Sequence, residues 1–377
     1  MDFKQTNFSF WENKNWFSDI DFSIIGSGIV GLHTALRLRE CYPKSKIVIF
    51  EKGILPQGAS TKNAGFACFG SLSEILSDLE NHTEQEVLDL INKRWEGLQL
   101  LRKRLGDKTI DFQQNGGYEL FFEKDSEMYQ KCLDSLPKIN LLLSNYFNSE
   151  VFRINPNNFG FKNCKENLIF NPYEGQIDTG NMMQNLLKEV YKSDILILNK
   201  QELLSFEDLG NKVELNFKDF SVSAKKIFFA TNGFASQLTQ NEVIPARAQV
   251  LITKPIPNLH IKGTFHIEEG FYYFRNFENR ILLGGARNID FESETTTNFD
   301  LNKNIQNRLD EVLKNVILPN TTFEVEQRWS GIMGMGTAKT PVVKQLSENA
   351  YCGVRLGGIG VAIGSLIGKE LADLINT

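Results

Sequence analysis

Ile24-Ile25-Gly26-Ser27-Gly28-Ile29-Val30-Gly31 is the stretch on which the fold turns, and Glu51 completes it. Asp21 to Ile25 reads as a short apolar strand. Gly26, Gly28 and Gly31 keep the G-x-G-x-x-G spacing, Leu32 to Arg39 continues as a helix, and Lys46 to Phe50 reads as a second buried strand ending at Glu51. Strand, glycine turn, helix, strand and acid in this order describe a dinucleotide-binding βαβ unit rather than an ordinary flexible loop. Gly26 permits the tight turn, Gly28 lets backbone approach a pyrophosphate, and Gly31 lets the helix pack close to the sheet. The helix N-terminus offers N–H groups and partial positive charge to phosphates. A carboxylate at position 51 can accept from both ribose hydroxyls and would repel a 2′-phosphate, which disfavours NADP.

The rest of the composition narrows the class. A chain of 377 residues suggests two domains, or one cofactor domain with a large insertion. Hydrophobic content of 41% and charged content of 23% are ordinary for a globular protein. A net charge of −5 supplies no electrostatic reason to expect nucleic acid or an anionic membrane as a partner. The five cysteines, Cys41, Cys68, Cys132, Cys164 and Cys352, are widely spaced with no C-x-x-C, so neither a disulfide framework nor a zinc site is expected and a cytoplasmic, reducing compartment fits. Met1 to Trp16 lacks the apolar run of a signal peptide. No stretch has the apolar length of a membrane span; Leu356 to Ile367 is apolar but Gly-rich and too short.

Periodicity places the remaining elements. Helical spacing runs from Ser73 to about Leu105, Tyr118 to Phe122 reads as a strand, and Glu127 to Leu143 reads as helix broken by Pro137. Asp178 to Val190 is helical. Leu196 to Leu204, Lys212 to Phe217, Lys226 to Ala230, Gln249 to Thr253, Gly270 to Phe274 and Arg280 to Leu283 read as strands. Leu301 to Val316 is an amphipathic helix, and Ala350 to Gly353 leads through a glycine-rich turn into a helix from about Gly360 to Ile375. With no internal repeat and no low-complexity linker, the two domains are expected to be interleaved.

Two later turns return to the same ligand. Ala230-Thr231-Asn232-Gly233 closes a buried strand with small residues, at the carboxyl edge of a parallel sheet. Gly353-Val354-Arg355-Leu356-Gly357-Gly358-Ile359-Gly360-Val361-Ala362 sets a second glycine-rich turn before a helix, whose N-terminus can stabilise negative charge. A long cofactor contacted from both chain ends fits FAD better than NAD. Glycines serving only helix–sheet packing are the alternative.

On these motifs, with the Gly58-Ala59-Ser60-Thr61 loop, the chain from about Asp21 to Ile375 resembles the D-amino-acid oxidase, glycine oxidase and sarcosine oxidase family of flavoproteins. Gly58 to Phe66 and Pro245-Ala246-Arg247-Ala248-Gln249 look closest to the amine-oxidising branch that includes γ-glutamylputrescine oxidase. The resemblance implies an α/β fold: a discontinuous Rossmann-like FAD-binding domain (residues 19–80, 165–233 and 325–377) and an interleaved α+β substrate domain on a mixed sheet (81–164 and 234–324), behind a leader of residues 1–18. It implies non-covalent FAD held by Gly26, Ser27, Gly28, Ile29, Val30, Gly31, Glu51, Lys52, Ala59, Ser60, Thr61, Asn63, Ala64, Leu203, Thr231, Asn232, Gly233, Gly334, Arg355, Gly357, Gly358, Ile359, Gly360 and Val361. The reaction it implies is oxidation of a C–N bond in a small amine or amino acid by hydride transfer to flavin N5, giving an imine that hydrolyses. Oxygen or another acceptor then takes the electrons. Little side-chain acid–base chemistry is required. In keeping with this, the sequence offers no catalytic triad. His33 reads as packed in the first helix, and His260 and His266 read as loop residues with no evident partner.

The chain also departs from the family. Amino-acid oxidases of the group carry a carboxylate-clamping arginine in a W-x-G-x-R segment; the matching segment here is Trp329-Ser330-Gly331-Ile332-Met333, and an apolar thioether cannot pair with a carboxylate. An amine, or a substrate whose acid is held elsewhere, is therefore favoured. Arg355 matches a second family arginine and can bind a carboxylate, hold the flavin or close a structural contact. In Tyr272-Tyr273-Phe274-Arg275, alternation puts Tyr273 and Arg275 on one face. That pair is expected to line the pocket, an outer sheet face being the alternative. Leu282 falls near the oxygen-activating lysine of the sarcosine oxidase branch, and no cysteine stands where that branch attaches its flavin. Two other readings remain: a flavin-dependent 2-hydroxy-acid dehydrogenase, for which no base is evident, and a flavin domain acting in tRNA modification, for which no basic stripe is present.

Overall fold

The structure is a computed structural model and describes residues 8–236, 238 and 242–376. Residues 1–7, 237, 239–241 and 377 of the expected segments lie outside the described residues. The chain divides into two compact units. The first comprises the described residues up to Thr61, Gly180–Pro245 and the chain from Met333; the second comprises Lys62–Thr179 and Ala246–Ile332. The division is interleaved. Its cuts differ from the expected boundaries: residues 62–80, 165–179 and 325–332 belong to the second unit and 234–245 to the first.

The first unit is built on the βαβ signal. Ile20–Ile25 and Ile47–Glu51 are fully hydrogen-bonded parallel neighbours, with Ile24 opposite Ile49. Their apolar runs suit strands covered on both faces. Ser221–Phe229 lies parallel on the other side of Ile20–Ile25, followed by Ala350–Val354, and Leu196–Asn199 lies outside Ile47–Glu51. Val342–Ser347, Val213–Asn216 and Ser205–Asp208 add antiparallel strands. Helices Ile29–Cys41 and Gly360–Asp373 pack closely because Gly368 has no side chain: a Cβ there would lie 2.6 Å from His33 Cβ and 2.7 Å from the Val30 carbonyl. Thr34 Oγ1 donates to the Gly368 carbonyl at 3.1 Å. Phe8 and Phe17 of the leader stack on each other, and Phe220 meets Phe8 edge-on and Phe17 at a tilt.

The second unit carries an eight-stranded mixed sheet in the order Val325–Met335, Ile244–Thr253, Arg280–Gly285, Tyr272–Phe277, Thr264–Ile267, Gly117–Leu120, Asn167–Asn171 and Arg153–Pro156. Thr264–Ile267 and Gly117–Leu120 run parallel; Thr264–Ile267 with Tyr272–Phe277, Tyr272–Phe277 with Arg280–Gly285, Gly117–Leu120 with Asn167–Asn171 and Asn167–Asn171 with Arg153–Pro156 run antiparallel. One face is apolar. Leu120, Phe265, Ile267, Tyr272, Phe274, Ile281 and Leu283 pack there against Ile305, Leu309 and Val312 of helix Lys303–Val312.

Several local expectations need correction. The periodic run from Ser73 to Leu105 is two helices, Leu72–Asn81 and Glu84–Leu105, each opened by a capping box, Ser71 with Glu74 and Thr83 with Glu86. Ser126–Leu143 runs through Pro137 instead of breaking there. An interior proline costs about 3 kcal/mol, whereas burying Ile139 and Leu143 returns roughly 1.5–3 kcal/mol each. The strand from Leu196 stops at Asn199 because Lys200 takes a left-handed φ of 59°. The amphipathic helix begins at Lys303 and ends in a π-type turn, Leu313–Ile317.

Candidate functional site

The glycine turn of the first unit is shaped by close approaches. Gly26 takes φ +101°, and a Cβ on it would stand 2.8 Å from the Ala230 carbonyl oxygen. A Cβ on Gly31 would lie 2.0 Å from the Gly26 carbonyl oxygen and 3.3 Å from Ile24 on the strand beneath. Both positions are closed to side chains by backbone. Gly28 differs, since its Cβ would meet only the Ser60 hydroxyl, at 2.9 Å. Ser60 is the middle residue of the short helical turn Ala59–Thr61 and accepts from the Ile29 amide at 2.9 Å, so its hydroxyl caps the helix that Gly28 cannot cap itself. Ile29, Val30 and Gly31 form the first turn of that helix.

Glu51 is buried at the end of the second strand. One carboxylate oxygen accepts from the Ser27 amide at 3.0 Å and the Ser27 hydroxyl at 2.8 Å; the other accepts from the Gly53 amide at 2.9 Å. It thus braces the glycine turn. Lys52 lies exposed, its ammonium 4.7 Å over the Phe234 ring, and Leu203 packs half-buried against the apolar core of this unit.

Thr231, Asn232 and Gly233 follow the Ser221–Phe229 strand. Asn232 adopts φ 43°, and its Oδ1 accepts from the Leu356 amide at 3.2 Å. Gly334 makes room for this, because a Cβ there would be 2.6 Å from Asn232 Oδ1. The Gly334 carbonyl in turn accepts from the Gly357 amide at 3.1 Å. The Ala230–Gly233 turn, the strand end at Gly334 and the C-terminal glycine turn are therefore tied together within one unit.

Two observations test whether these residues fit a dinucleotide. Thr231 Oγ1 is a buried hydroxyl with no hydrogen-bond partner among the described residues. Buried polar atoms are normally paired, so it points to a missing acceptor or donor. Gly357 and Gly358 have nothing within 4 Å of a built Cβ among the described residues. Packing therefore does not explain them, in contrast to Gly364 and Gly368, whose Cβ positions meet Ile29 and His33. Gly357 needs its positive φ of 63°; Gly358 has neither reason. A large group laid along this turn accounts for both, with Ile359, Gly360 and Val361 beginning the helix behind it. The residues fit FAD.

Arg355 takes a left-handed φ of 62° and donates to the carbonyls of Thr340 at 2.9 Å and Glu242 at 3.3 Å. Met333 sits half-exposed on the strand Val325–Met335.

In the second unit, the sheet face opposite the apolar core is polar. Across it, Glu119 pairs with His266, His266 with Tyr273, and Tyr273 with Gly284. A Cβ on Gly284 would stand 2.6–2.7 Å from the Tyr273 ring and hydroxyl, so glycine there leaves the ring its place. Burial pushes the Tyr273 phenol up to about 12. Arg275 is buried on the same face. Its guanidinium donates to the carbonyls of Ala64, Ile177 (2.9 Å) and Asn276 (3.1 Å), and it has no ion-pair partner among the described residues. Burial lowers its pKa to about 10, against the opposing charges of Asp178 and Asp111. Asn63 Oδ1 accepts from Gly65 N and Thr179 Oγ1 at 2.9 and 2.8 Å, and Trp329 Nε1 donates to the Lys62 carbonyl at 2.9 Å. The Lys62–Gly65 segment is thus held by Arg275, Thr179 and Trp329. Arg275 holds backbone here.

The histidine readings change. His260 Nε2 lies 2.9 Å from the Phe159 carbonyl. His266 is not a loop residue: it is buried on strand Thr264–Ile267 with Nε2 2.9 Å from Glu174 Oε2 and Nδ1 3.9 Å from Glu74 Oε2. Burial alone would lower its pKa, but the charge and hydrogen bond of Glu174, with Glu74 and Glu119, bring it to about 9. Glu119 is raised to about 7 by burial, opposed by hydrogen bonds from Ser73. The alternation in Thr264-Phe265-His266-Ile267 was the available signal for this strand, and it places His266 on the polar face.

Comparison with known proteins places the chain in a family. The family model for FAD dependent oxidoreductases matches residues 21–374. The chain is 21% identical to the probable oxidoreductase OrdL of Haemophilus influenzae over 94% of this chain and 82% of that one. It is 22% identical to gamma-glutamylputrescine oxidoreductase of Escherichia coli, over 94% and 83%. Among solved structures it is similar to glycine oxidase from Geobacillus kaustophilus, with a TM-score of 0.74 and 16% identity over 94% of each chain. The chain belongs to the FAD dependent oxidoreductase family. Among the described residues, no helix is long and apolar enough to cross a membrane.

Proposed function

We propose that this FAD-dependent oxidoreductase oxidises a C–N bond of a small amine, or of an amino acid less readily, by hydride transfer from the α-carbon to flavin N5, giving an imine that hydrolyses. The observation that carries the preference for amines concerns three side chains. Met333 stands where the family's clamp would be, Arg275 donates to three backbone carbonyls, and Arg355 donates to two. None of the three presents the carboxylate-pairing fork that a simple α-amino acid requires. The amine named for the Escherichia coli relative supports the same class.

The chain's own residues bind and orient. Glu51 braces the nucleotide turn, Ser60 orders the first helix, and the Asn232–Leu356 bond holds two cofactor segments in one arrangement. Tyr273 remains neutral at working pH and supplies a hydroxyl and an aromatic face. We assign FAD as non-covalent, since the cysteines lie at 41, 68, 132, 164 and 352 and none falls in the 325–336 segment. Leu282 is buried beside Ala64 and Val250, so no lysine activates oxygen at that place, and an acceptor other than oxygen is favoured. All five cysteines are free, in keeping with a cytoplasmic location.

The test is anaerobic mixing of holoenzyme with matched amines, α-amino acids and 2-hydroxy acids, read by bleaching of the flavin. Primary or secondary amines are expected to bleach it fastest. Faster bleaching by glycine or D-alanine overturns the amine preference, and bleaching by 2-hydroxy acids alone overturns C–N oxidation.

A further inference from the structure

We propose that Cys68, Glu174 and His266 form a buried binding site for a single zinc-class divalent cation in the second unit. Three separate segments bring them together: the residue after strand Phe66–Ala67, the turn before Gly175–Gln176, and the strand Thr264–Ile267. The thiol sulfur, a carboxylate oxygen and an imidazole nitrogen lie within 4.8 Å of one another, and all three residues are buried.

The ligand set is informative. One sulfur, one nitrogen and one oxygen suit Zn²⁺ and its borderline neighbours, not the oxygen-seeking Mg²⁺ or Ca²⁺. Bond lengths of about 2.0–2.3 Å in a tetrahedral centre put ligand atoms roughly 3.3–3.6 Å apart. His266 Nε2 and Glu174 Oε2, now 2.9 Å apart, would separate by roughly 0.5 Å, and the Cys68 sulfur, within 4.8 Å of both, would close by up to about 1 Å.

The surroundings are those of a supported site. Thr264 Oγ1 donates to Glu174 Oε2 at 2.9 Å, orienting the carboxylate. Glu74 Oε2 lies 3.9 Å from His266 Nδ1, on the opposite edge of the ring from Glu174. A ring that binds metal through Nε2 then directs Nδ1–H toward a carboxylate, the usual outer partner of a metal-bound histidine. Gly117 keeps the space open, because a Cβ there would fall 2.1 Å from Glu174 Oε2. Binding needs Cys68 as thiolate; its proton leaves as the cation enters, so no oxidant or reductant is involved. The cation joins the Phe66–Gln176 strand pair to the main sheet of this unit.

The experiment uses FAD-loaded full chain. Zn²⁺ is added, excess is removed by dialysis, and metal per chain is counted by elemental analysis; X-ray absorption at the zinc edge reports the ligand atoms. One zinc per chain with one sulfur scatterer and nitrogen or oxygen neighbours is expected. Cys68→Ser is expected to abolish retention, and Glu74→Gln to weaken it about tenfold to a hundredfold. Absence of retained zinc, a zinc centre without sulfur, or retention unchanged in Cys68→Ser overturns the proposal. The absorption measurement on native protein decides the matter even if a variant fails to fold.

Discussion

Glu51 Oε2 accepts both the amide and the hydroxyl of Ser27, at 3.0 and 2.8 Å. The acid at the end of the second strand therefore shapes the phosphate turn as well as awaiting the nucleotide. Glu51→Gln places an amide donor against donors and removes the charge. Hydrogen bonds to a charged group contribute about 1.5–3 kcal/mol, so FAD affinity is expected to fall about tenfold to a hundredfold. Titration of apoprotein with FAD, followed by flavin fluorescence, measures this; unchanged affinity would falsify the role.

The glycines of the turn are expected to separate. A Cβ at Gly31 meets backbone at 2.0 Å, whereas one at Gly28 meets only the Ser60 side chain at 2.9 Å. Gly31→Ala should lower the thermal midpoint of the apoprotein markedly. Gly28→Ala should leave the apoprotein folded and lose FAD retention, because the added group occupies the pyrophosphate's approach. Circular dichroism melts and the flavin-to-protein absorbance ratio distinguish the two. Equal melts, or full flavin retention in Gly28→Ala, would mean the phosphate site lies elsewhere.

Thr231 Oγ1 is buried with no hydrogen-bond partner among the described residues. Thr231→Val removes an unmatched hydroxyl at nearly constant shape, so the apoprotein should be as stable or slightly more stable. FAD affinity should nonetheless fall, by about 1 kcal/mol or roughly fivefold, if this hydroxyl bonds the cofactor. A variant that loses apoprotein stability and keeps its FAD affinity would show that the hydroxyl serves the fold instead.

Met333→Arg is expected to shift the ratio of amino-acid to amine reduction rates toward amino acids, by about tenfold or more if the new guanidinium reaches the carboxylate. Anaerobic stopped flow with matched pairs reads the ratio. If native protein already reduces with a small α-amino acid efficiently and Arg355→Ala abolishes it, Arg355 is the clamp and the amine preference fails.

Asp208 gives an acid-stability prediction. Its carboxylate accepts from Ser347 Oγ, Asn349 N and Nδ2, and Gly210 N, at 2.6–3.0 Å, tying two strand connections of the first unit together. Burial is the largest single influence and raises its pKa, but the hydrogen bonds from Ser347, Asn349 and Gly210 together outweigh it and hold it well below the usual 3.8. A depressed folded pKa contributes stability that is present above the unfolded value and lost as pH falls below it. Native protein should therefore lose thermal stability more steeply than Asp208→Asn below about pH 4. Parallel melting curves between pH 6 and 3 would show no such difference if the contacts contribute nothing.

By itself the sequence determined the βαβ unit, the α/β class and the three glycine-bearing returns to one cofactor. These rest on local rules: spacing of glycines, apolar runs of strand length, and an acid at a strand end. The two capping boxes that divide Leu72–Asn81 from Glu84–Leu105 were also written locally, though periodicity alone ran across them. Tertiary structure decided what the polar side chains meet. Arg275 and Arg355 look alike in sequence as carboxylate binders, yet each holds backbone carbonyls supplied by distant segments. His266 acquired Glu174, Glu74 and Glu119 only because a parallel strand pairing and a turn nearly a hundred residues away in sequence converge on one sheet face. Burial removes the competing water from such groups, so their chemistry is set by whichever partners the fold delivers, and no local pattern encodes that choice.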